Sequence, residues 1–406
     1  MPRRIKSKRQ QVASLEAEML RRVRARGGLS RVQLARELKL APSTAGIYAD
    51  RLVRDGFLLE TESPEREAAG RPPTALVPNP QGGRFVGVDF EARNLMATVV
   101  DFSQRPLGRI HKTIRPDDSN AQILDKITQA IRELMAGDTS AVLGIGVGVP
   151  GTIDPVQNVA MHYDFIQGWN DVPLGARLSE RFGVPVFLEN NIRSMALAEL
   201  WFGAGRGLRS FVCVGIRSGI AAGVVVGGHL LHGARHRAGE IGQWVCPVPA
   251  ELADGQAGDG DDRWRWQAGT RLEQVASLSA ILAAAQRGLQ RGQRTSLAAA
   301  KDELTIDHIL AAARQGDEFA SSLIAAVGRI HGWVAHQLDQ LFDPERIIFA
   351  GALADLGELF MGTVRETAGQ LADPGHQPEI AASTLGQYNG AVGAAALALH
   401  QWKPKR

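Results

Sequence analysis

The stretch RFVGVDFEARNLMATVVDF, residues 84–102, decides the fold. "RFVGVDF" and "LMATVVDF" are apolar, β-branched runs joined by a tight turn, and "GRIHKTI" (108–114) is a third run of the same kind. A helical segment over about 119–136 and the apolar strand "VLGIGVGVP" (142–150) follow. Short turns between strand-like runs read as hairpins, and a later parallel strand needs a helical crossover. The resulting β-β-β-α-β order is how an RNase H-like lobe begins. The first turn sits where a phosphate-binding loop would lie, yet its tip carries Glu91 and Arg93 in place of glycines.

A second unit of this kind starts at "FVCVGIRSGIAAGVVVGGHLL" (211–231). A late strand, "RIIFAGAL" (346–353), precedes a helix over 354–371. The last helix, "NGAVGAAALALHQW" (389–402), is rich in small residues and suited to close packing. The expected body is therefore α/β with two lobes, about 81–200 with the C-terminal helix 388–402, and about 201–387.

The chain has 406 residues, 44% apolar and 22% charged, which is ordinary for a globular protein with a large core. It has no run of about 18 apolar residues, and "MPRRIKSKRQ" lacks the apolar segment of a secretory signal. Two cysteines, Cys213 and Cys246, make no disulfide framework. A cytoplasmic protein without membrane contact is expected. The net charge of +3 conceals an asymmetry: residues 1–80 hold 16 basic and 9 acidic residues, the remainder 30 and 34. A small basic head on a mildly acidic body points to a polyanion-binding module.

The head, residues 1–80, reads as a winged helix-turn-helix. "SLEAEMLRRVRA" (14–25) places Leu15, Met19, Leu20 and Val23 on one face, and Gly27 and Gly28 end it. In "LSRVQLARELKL" Ser30 is placed to cap a helix whose buried stripe would be Val32, Leu34, Ala35 and Leu38. A third helix starts near Pro42 or Ser43, with Ile47, Leu52 and Val53 packing inward, and Gly56 closes it before the strand "FLLE". Two short helices joined by a tight turn form the DNA-reading pattern. The recognition helix is expected to offer Ser43, Thr44, Gly46, Tyr48 and Arg51 outward to phosphates and base edges. "TESPEREAAGRPPTALVPNP" (61–80) reads as a wing and linker, in which Arg71, flanked by Gly and Pro, suits a narrow minor groove.

The body, residues 81–406, resembles the ROK family, which unites sugar kinases and sugar-responsive repressors. The resemblance rests on "GIGVGVPGTID" (144–154), "FLENNIRSMALAELWFGAG" (187–205), "GIAAGVVVGGHLLHGARHRAGEIGQ" (219–243) and "RIIFAGAL". It implies the two-lobed actin-like, sugar-kinase-type fold. A helix-turn-helix in front of such a body is the pattern of the repressor branch.

Against the family's kinase motifs the chain departs at three places. The D-x-G-G-T-K turn is replaced by Asp89-Phe90-Glu91-Ala92-Arg93-Asn94. At an effective dielectric constant of about 20, a carboxylate 4 Å from a phosphate charge costs about 4 kcal/mol. In the second phosphate loop Arg217 stands for a glycine, and the segment that supplies the catalytic Asp reads Glu189-Asn190-Asn191. An amide accepts no proton at neutral pH, and a general base is worth about 10²–10⁴-fold. No enzyme activity and no ATP are expected. The resemblance places Asn190, Glu240 and Glu273 at sugar-contacting positions, with Asn191 and Gln243 replacing an Asp and a His and Gly151 allowing close approach to a hydroxyl. The family's structural zinc is expected to be absent: Gln243, Trp264, Trp266 and Arg271 stand at its four ligand positions. Trp264 and Trp266 are expected to replace the metal by apolar packing, and the acidic, glycine-rich segment 247–262 is expected to be mobile.

These readings converge on a DNA-binding transcriptional regulator, a repressor, acting as a homodimer or homotetramer on operator DNA. Its carbohydrate effector would act by closing the two lobes and so changing head spacing. Two alternatives stand beside it: a sugar kinase with an added DNA-binding head, and a DNA-binding protein without an effector.

Overall fold

The computed structural model describes residues 8–62, 74–135, 142–249, 252, 264–265, 269–300, 303–373, 375–376 and 378–405. The chain divides into two compact units, one of residues 1–191 and 390–406, the other of residues 192–389.

The first unit opens with the head. Its elements are α1 (Lys8–Arg26), β1 (Leu29–Ser30), α2 (Arg31–Glu37), α3 (Pro42–Arg54), β2 (Leu58–Glu62) and β3 (Thr74–Pro78). The three strands pair antiparallel in the order β1-β3-β2. The start of α2 is locally encoded: the Ser30 hydroxyl accepts from Gln33 N (3.2 Å), and Gln33 Oε1 accepts from Ser30 N (2.8 Å), a reciprocal capping box. Pro42 opens α3, where its missing N–H costs nothing.

The lobe of this unit contains β4 (Arg84–Phe90), β5 (Asn94–Asp101), β6 (Pro106–Thr113), α4 (Asn120–Met135) and β7 (Val142–Val149). A small sheet of β8 (Thr152–Asp154), β9 (Val159–His162) and β10 (Asn170–Val172) follows, then α5 (Leu174–Phe182) and β11 (Val186–Asn190). The main sheet runs β11-β7-β4-β5-β6, with β4, β7 and β11 mutually parallel and β4-β5-β6 an antiparallel meander. The alternation of strand side chains divides this sheet. Val86, Val88 and Phe90 pack with Ile123, Ile127 and Ile131 of α4, while Phe85 turns to the opposite face.

The second unit holds α6 (Asn191–Phe202, from Ile192 onward), β12 (Phe211–Ile216), β13 (Ile220–Val226), β14 (His229–Leu230), β15 (Val248–Pro249) and β16 (Trp264–Arg265). It continues with α7 (Leu272–Ala276), α8 (Leu278–Gln290), α9 (Ile306–Arg314), α10 (Glu318–Phe342), β17 (Arg346–Ala350), α11 (Glu358–Leu371) and β18 (Ile380–Ala382). Its sheet, β14-β13-β12-β17-β18, repeats the topology of the first: three antiparallel strands, then two parallel additions beside the first of them. The chain crosses back at α12 (Asn389–Gln401). Among the described residues no helix is long and apolar enough to cross a membrane.

The division differs from the sequence-based one in two respects. The lobe boundary falls at the start of α6, not near residue 200. The head, moreover, belongs to the same compact unit as the first lobe. Met19, Leu20, Val23, Leu34, Leu52, Leu58 and Leu76 share one apolar cluster with Phe85, Val100, Phe102, Leu399 and Trp402. Phe57 stacks on Phe102 (5.3 Å) and meets Trp402 edge-on (5.1 Å). Arg24 lies over the Phe102 ring at 4.0 Å and donates to the Phe102 carbonyl (3.3 Å). Burial lowers its pKa to about 9. A head bound this way is an integral layer of the unit.

Candidate functional site

In the head, α2 and α3 are joined by a turn in which Lys39 takes φ +54° and Leu40 N bonds back to Ala35 O (2.9 Å). The face that α3 buries is Ala45, Ala49 and Leu52. The opposite stripe is Ser43, Ile47, Asp50 and Arg54, all exposed, with Ile47 at 60% of its surface. This corrects the expected phase. Ile47 does not pack inward, and Val32 of α2, expected in the buried stripe, is 63% exposed. Tyr48 and Arg51 face α1: Tyr48 packs half-buried against the head core, and Arg51 pairs with the buried Glu16 (3.3 Å) beside the Tyr48 ring. Thr44 is half-buried, whereas Ser43 and Gly46 lie on or beside the open face. Two alanines, Ala45 and Ala49, bury α3 closely against its neighbours beside Leu52, and this face, not Ile47, is the one that packs inward. Arg31 at the start of α2 bridges Asp50 (2.5 Å) and Glu60, fastening both helices to the wing. Arg71 lies outside the described residues.

The six expected effector positions divide equally between the units. In the first, Asn190 ends β11 and Asn191 opens α6, both buried. Asn190 Nδ2 donates to the Gly151 carbonyl (3.0 Å), and its N–H donates to Glu189 Oε1 (2.8 Å). Gly151 has φ +72°, and a Cβ there would overlap the His162 carbonyl, so glycine is required. The turn at residues 90–94, expected from the sequence to have lost its phosphate-binding glycines, is a tight hairpin in which Glu91 N bonds Asn94 O (2.9 Å). Asp89 beneath it is 1% exposed, and α12 starts hard against it: a Cβ on Gly390 would overlap the carboxylate.

In the second unit, Glu240 follows Gly239, whose carbonyl accepts from Ala222 N (2.7 Å) and whose φ is +87°. Burial raises the Glu240 pKa, opposed by the charges of Arg193 and Arg237, with Glu273 adding to the rise. Gln243 Nε2 donates to Glu273 Oε1 (2.6 Å), while Gln243 Oε1 accepts from the Arg271 guanidinium. Glu240, Gln243 and Glu273 therefore belong to one polar surface around the β13 end. Sequence reasoning passed over Arg193, 2% exposed, which donates to the His236 carbonyl (3.1 Å) and lends charge to Glu240. Its signal was available: Arg193 is the one basic residue of α6 and stands two positions after Asn191. The Arg217 turn is pinned by Arg217 N to Gly219 O and by Leu278 N to Arg217 O, both 2.9 Å. Trp266 and most of segment 247–262 lie outside the described residues, as does the Trp264 side chain. Among the described residues no cluster of three His, Cys, Asp or Glu groups is arranged to hold a metal ion.

The chain is similar to the DNA-binding transcriptional repressor Mlc of Escherichia coli, 27% identical over 91% of this chain and 89% of that one. It is similar to the glucokinase of Thermotoga maritima, 29% identical over 77% of this chain and 96% of that one. The crystal structure of a ROK family transcriptional regulator homologous to Mlc shares the fold over 96% of both chains, with a TM-score of 0.77 at 24% identity. A Streptomyces griseus ROK glucokinase solved with glucose and AMPPNP aligns over 78% of this chain and 99% of that one, with a TM-score of 0.66 at 28% identity. Residues 85–401 match the ROK family, and with the two duplicated sheets they span, the chain belongs to that family.

Proposed function

We propose that this protein is a sugar-responsive DNA-binding transcriptional repressor of the bacterial cytoplasm, acting as a symmetric oligomer. One observation carries the reading. The match to the repressor Mlc extends over 91% of the chain, whereas nearly the whole T. maritima glucokinase is accounted for by 77% of it. The family match covers residues 85–401, which leaves the head outside it, and the head is a helix-turn-helix with a strand hairpin, welded to the first lobe.

The kinase alternative is disfavoured by the residues present. Glu91 sets a carboxylate at the turn that would approach a polyphosphate, and Asn191 offers no base where the resemblance requires one. The zinc site is read as replaced: Gln243 and Arg271, at two of the four ligand positions, are hydrogen-bonded to each other. Each unit has its own polar set that can grip hydroxyls, Gly151–Asn190 in the first and Glu240–Gln243–Glu273 in the second, and a carbohydrate is the effector class their carboxylates and amides suit. The route to the head lies within the first unit. Helix α12 lies directly on Gly87 and Gly146 of the central strands, starts at Asp89, and delivers Trp402 to Phe57 of the head. A shift of β7 or β11 on ligation of Asn190 would be carried along this rod of about 20 Å.

The test uses the full chain and a duplex enriched from a random-sequence pool. Affinity should fall steeply with salt, since Lys and Arg contacts to phosphates release counterions, and one member of a sugar panel should both raise the melting temperature and weaken DNA binding. Failure to enrich any sequence would overturn the repressor reading, and ATP-dependent phosphorylation of a sugar would establish the kinase.

A further inference from the structure

We propose that Ile47 is a base-reading residue that packs against the C5 methyl of a thymine in the major groove, with Gly46 letting the α3 backbone come close. The inference rests on the DNA-binding reading above and names what that site recognises.

Two independent observations carry it. Ile47 lies in the middle of α3 and exposes 60% of its surface, although Ala45, Ala49 and Leu52 on the other side are fully buried. A large β-branched residue on the open face of a short helix gains nothing from folding there, and it lowers helix propensity. Its neighbours on the stripe are Ser43 and Asp50, one turn away on either side, and Arg54, two turns away, all exposed. A polar strip with one apolar centre matches the edge of a base pair, where donors and acceptors surround a single methyl group.

Gly46 is the second observation. It sits in a regular helix without positive φ, and a Cβ built on it would meet nothing within 4 Å. Among the described residues nothing therefore requires glycine, which is the least favourable ordinary residue in a helix interior. The absence of a side chain beside Ile47 makes sense if an outside surface approaches the helix at that point. The surplus positive charge of the head, 16 basic against 9 acidic residues, makes that surface a polyanion.

The experiment starts from the duplex enriched by the full chain. Each thymine is replaced in turn by deoxyuridine, which removes the C5 methyl and leaves every hydrogen-bonding group in place. The parent chain should lose about three- to tenfold in affinity at one or two positions per half-site. Ile47→Ala should bind the parent duplex more weakly and show no further loss at those positions, while Ile47→Val should keep the sensitivity. Gly46→Ala should raise the melting temperature or leave it unchanged, yet weaken binding of the enriched duplex at least tenfold. Equal deoxyuridine losses in the parent and Ile47→Ala, or no sensitive thymine at all, would overturn the assignment of Ile47. Full-strength binding by Gly46→Ala would overturn the close approach. Failure to enrich any duplex would instead strike the DNA-binding reading itself, so the two failures are distinct.

Discussion

The two sheets of this protein have the same strand order and the same pattern of antiparallel and parallel pairing, yet their faces are closed differently. Each lays one face under a helix that enters from a unit boundary. On the first sheet this is α12, seated on Gly87 and Gly146; on the second it is α6, whose Ile192 and Ala196 sit over Gly215 and Gly223. The opposite face of the first sheet packs on α4, and that of the second packs on the larger α8–α11 layer. The difference lies beside the boundary helices. Next to α12 lie Phe85 of the first sheet, Phe102 just beyond β5 and Trp402 just beyond α12, and the head settles on them. Next to α6 the second sheet instead closes its own small cluster, in which Phe211, Cys213, Val225 and Ile348 are buried with Ile192, Met195 and Ala196 of the helix. A duplicated scaffold has been specialised by placing aromatic residues at one edge, which converts an appended head into a structural layer.

The sharpest way to break this comparison is to remove the aromatic seat. Trp402→Ala should cost about 3–5 kcal/mol, the usual range for a buried large aromatic residue. It should also loosen the head, seen as protease sensitivity of α1 in the full chain; intact protection would show that the head is held by its own core alone. Deleting residues 1–80 would expose the same aromatic residues, so aggregation of the truncated body is expected from light scattering.

A second test concerns the boundary helices. A Cβ on Gly146 would strike the backbone of Ala394, whereas one on Gly215 would strike only the Ile192 side chain. Gly146→Ala should therefore cost about 3 kcal/mol and Gly215→Ala about 1, because a side chain can move aside and a helix backbone cannot. Equal midpoints in urea would show that α12 slides as readily as Ile192 turns.

Each unit also buries an imidazole whose pKa falls because burial disfavours the charged form. His331 in the second is lowered to about 4, and its Nε2 is 3.1 Å from the Ala276 carbonyl; His400 in the first is lowered well below the ordinary value by burial, aided by the charges of Arg24 and Arg21. Both are neutral in the fold. Between pH 6.5 and about 4 the unfolded chain binds the proton that the folded His331 refuses. Stability is thus full above that window and falls as pH drops through it, by roughly 3 kcal/mol for His331. His331→Gln should flatten this part of the pH profile in calorimetry, and an unchanged profile would remove His331 as its source.

The smallest expected effect concerns the effector. Glu240→Ala or Glu273→Ala should weaken sugar binding by about ten- to a hundredfold, the worth of a hydrogen bond to a charged group. DNA affinity without sugar should stay unchanged, and Asn191→Asp should confer no ATP turnover while Glu91 remains. Calorimetry with the sugar found by thermal shift reads the first outcome; undiminished affinity in both Glu variants would place the effector elsewhere.

Much of this architecture was determined by local sequence. The Ser30–Gln33 capping box, Pro42 at the start of α3, the tight hairpins around residues 91 and 104, and the strand runs of both sheets are encoded within a few neighbouring residues, because caps, turns and strand periodicity depend on short-range contacts. At Gly151, expected to let the chain approach a hydroxyl, glycine is instead set by φ +72° and by the His162 carbonyl that a Cβ would meet. The rotation of α3 was not legible in the sequence. Hydrophobicity alone sends Ile47 inward and Arg51 outward, but the buried Glu16 on α1 draws Arg51 in, and the close fit of Ala45 and Ala49 turns Ile47 out. Nor was the docking of the head legible, since Phe57, Phe102 and Trp402 are separated by tens to hundreds of residues in the chain. Glu240 and its buried counter-charge Arg193 likewise meet only through the fold. Local hydrogen bonds and periodicity are written in sequence order, whereas which side of a helix faces a partner, and which charge a carboxylate finds, depends on segments that only tertiary packing brings together.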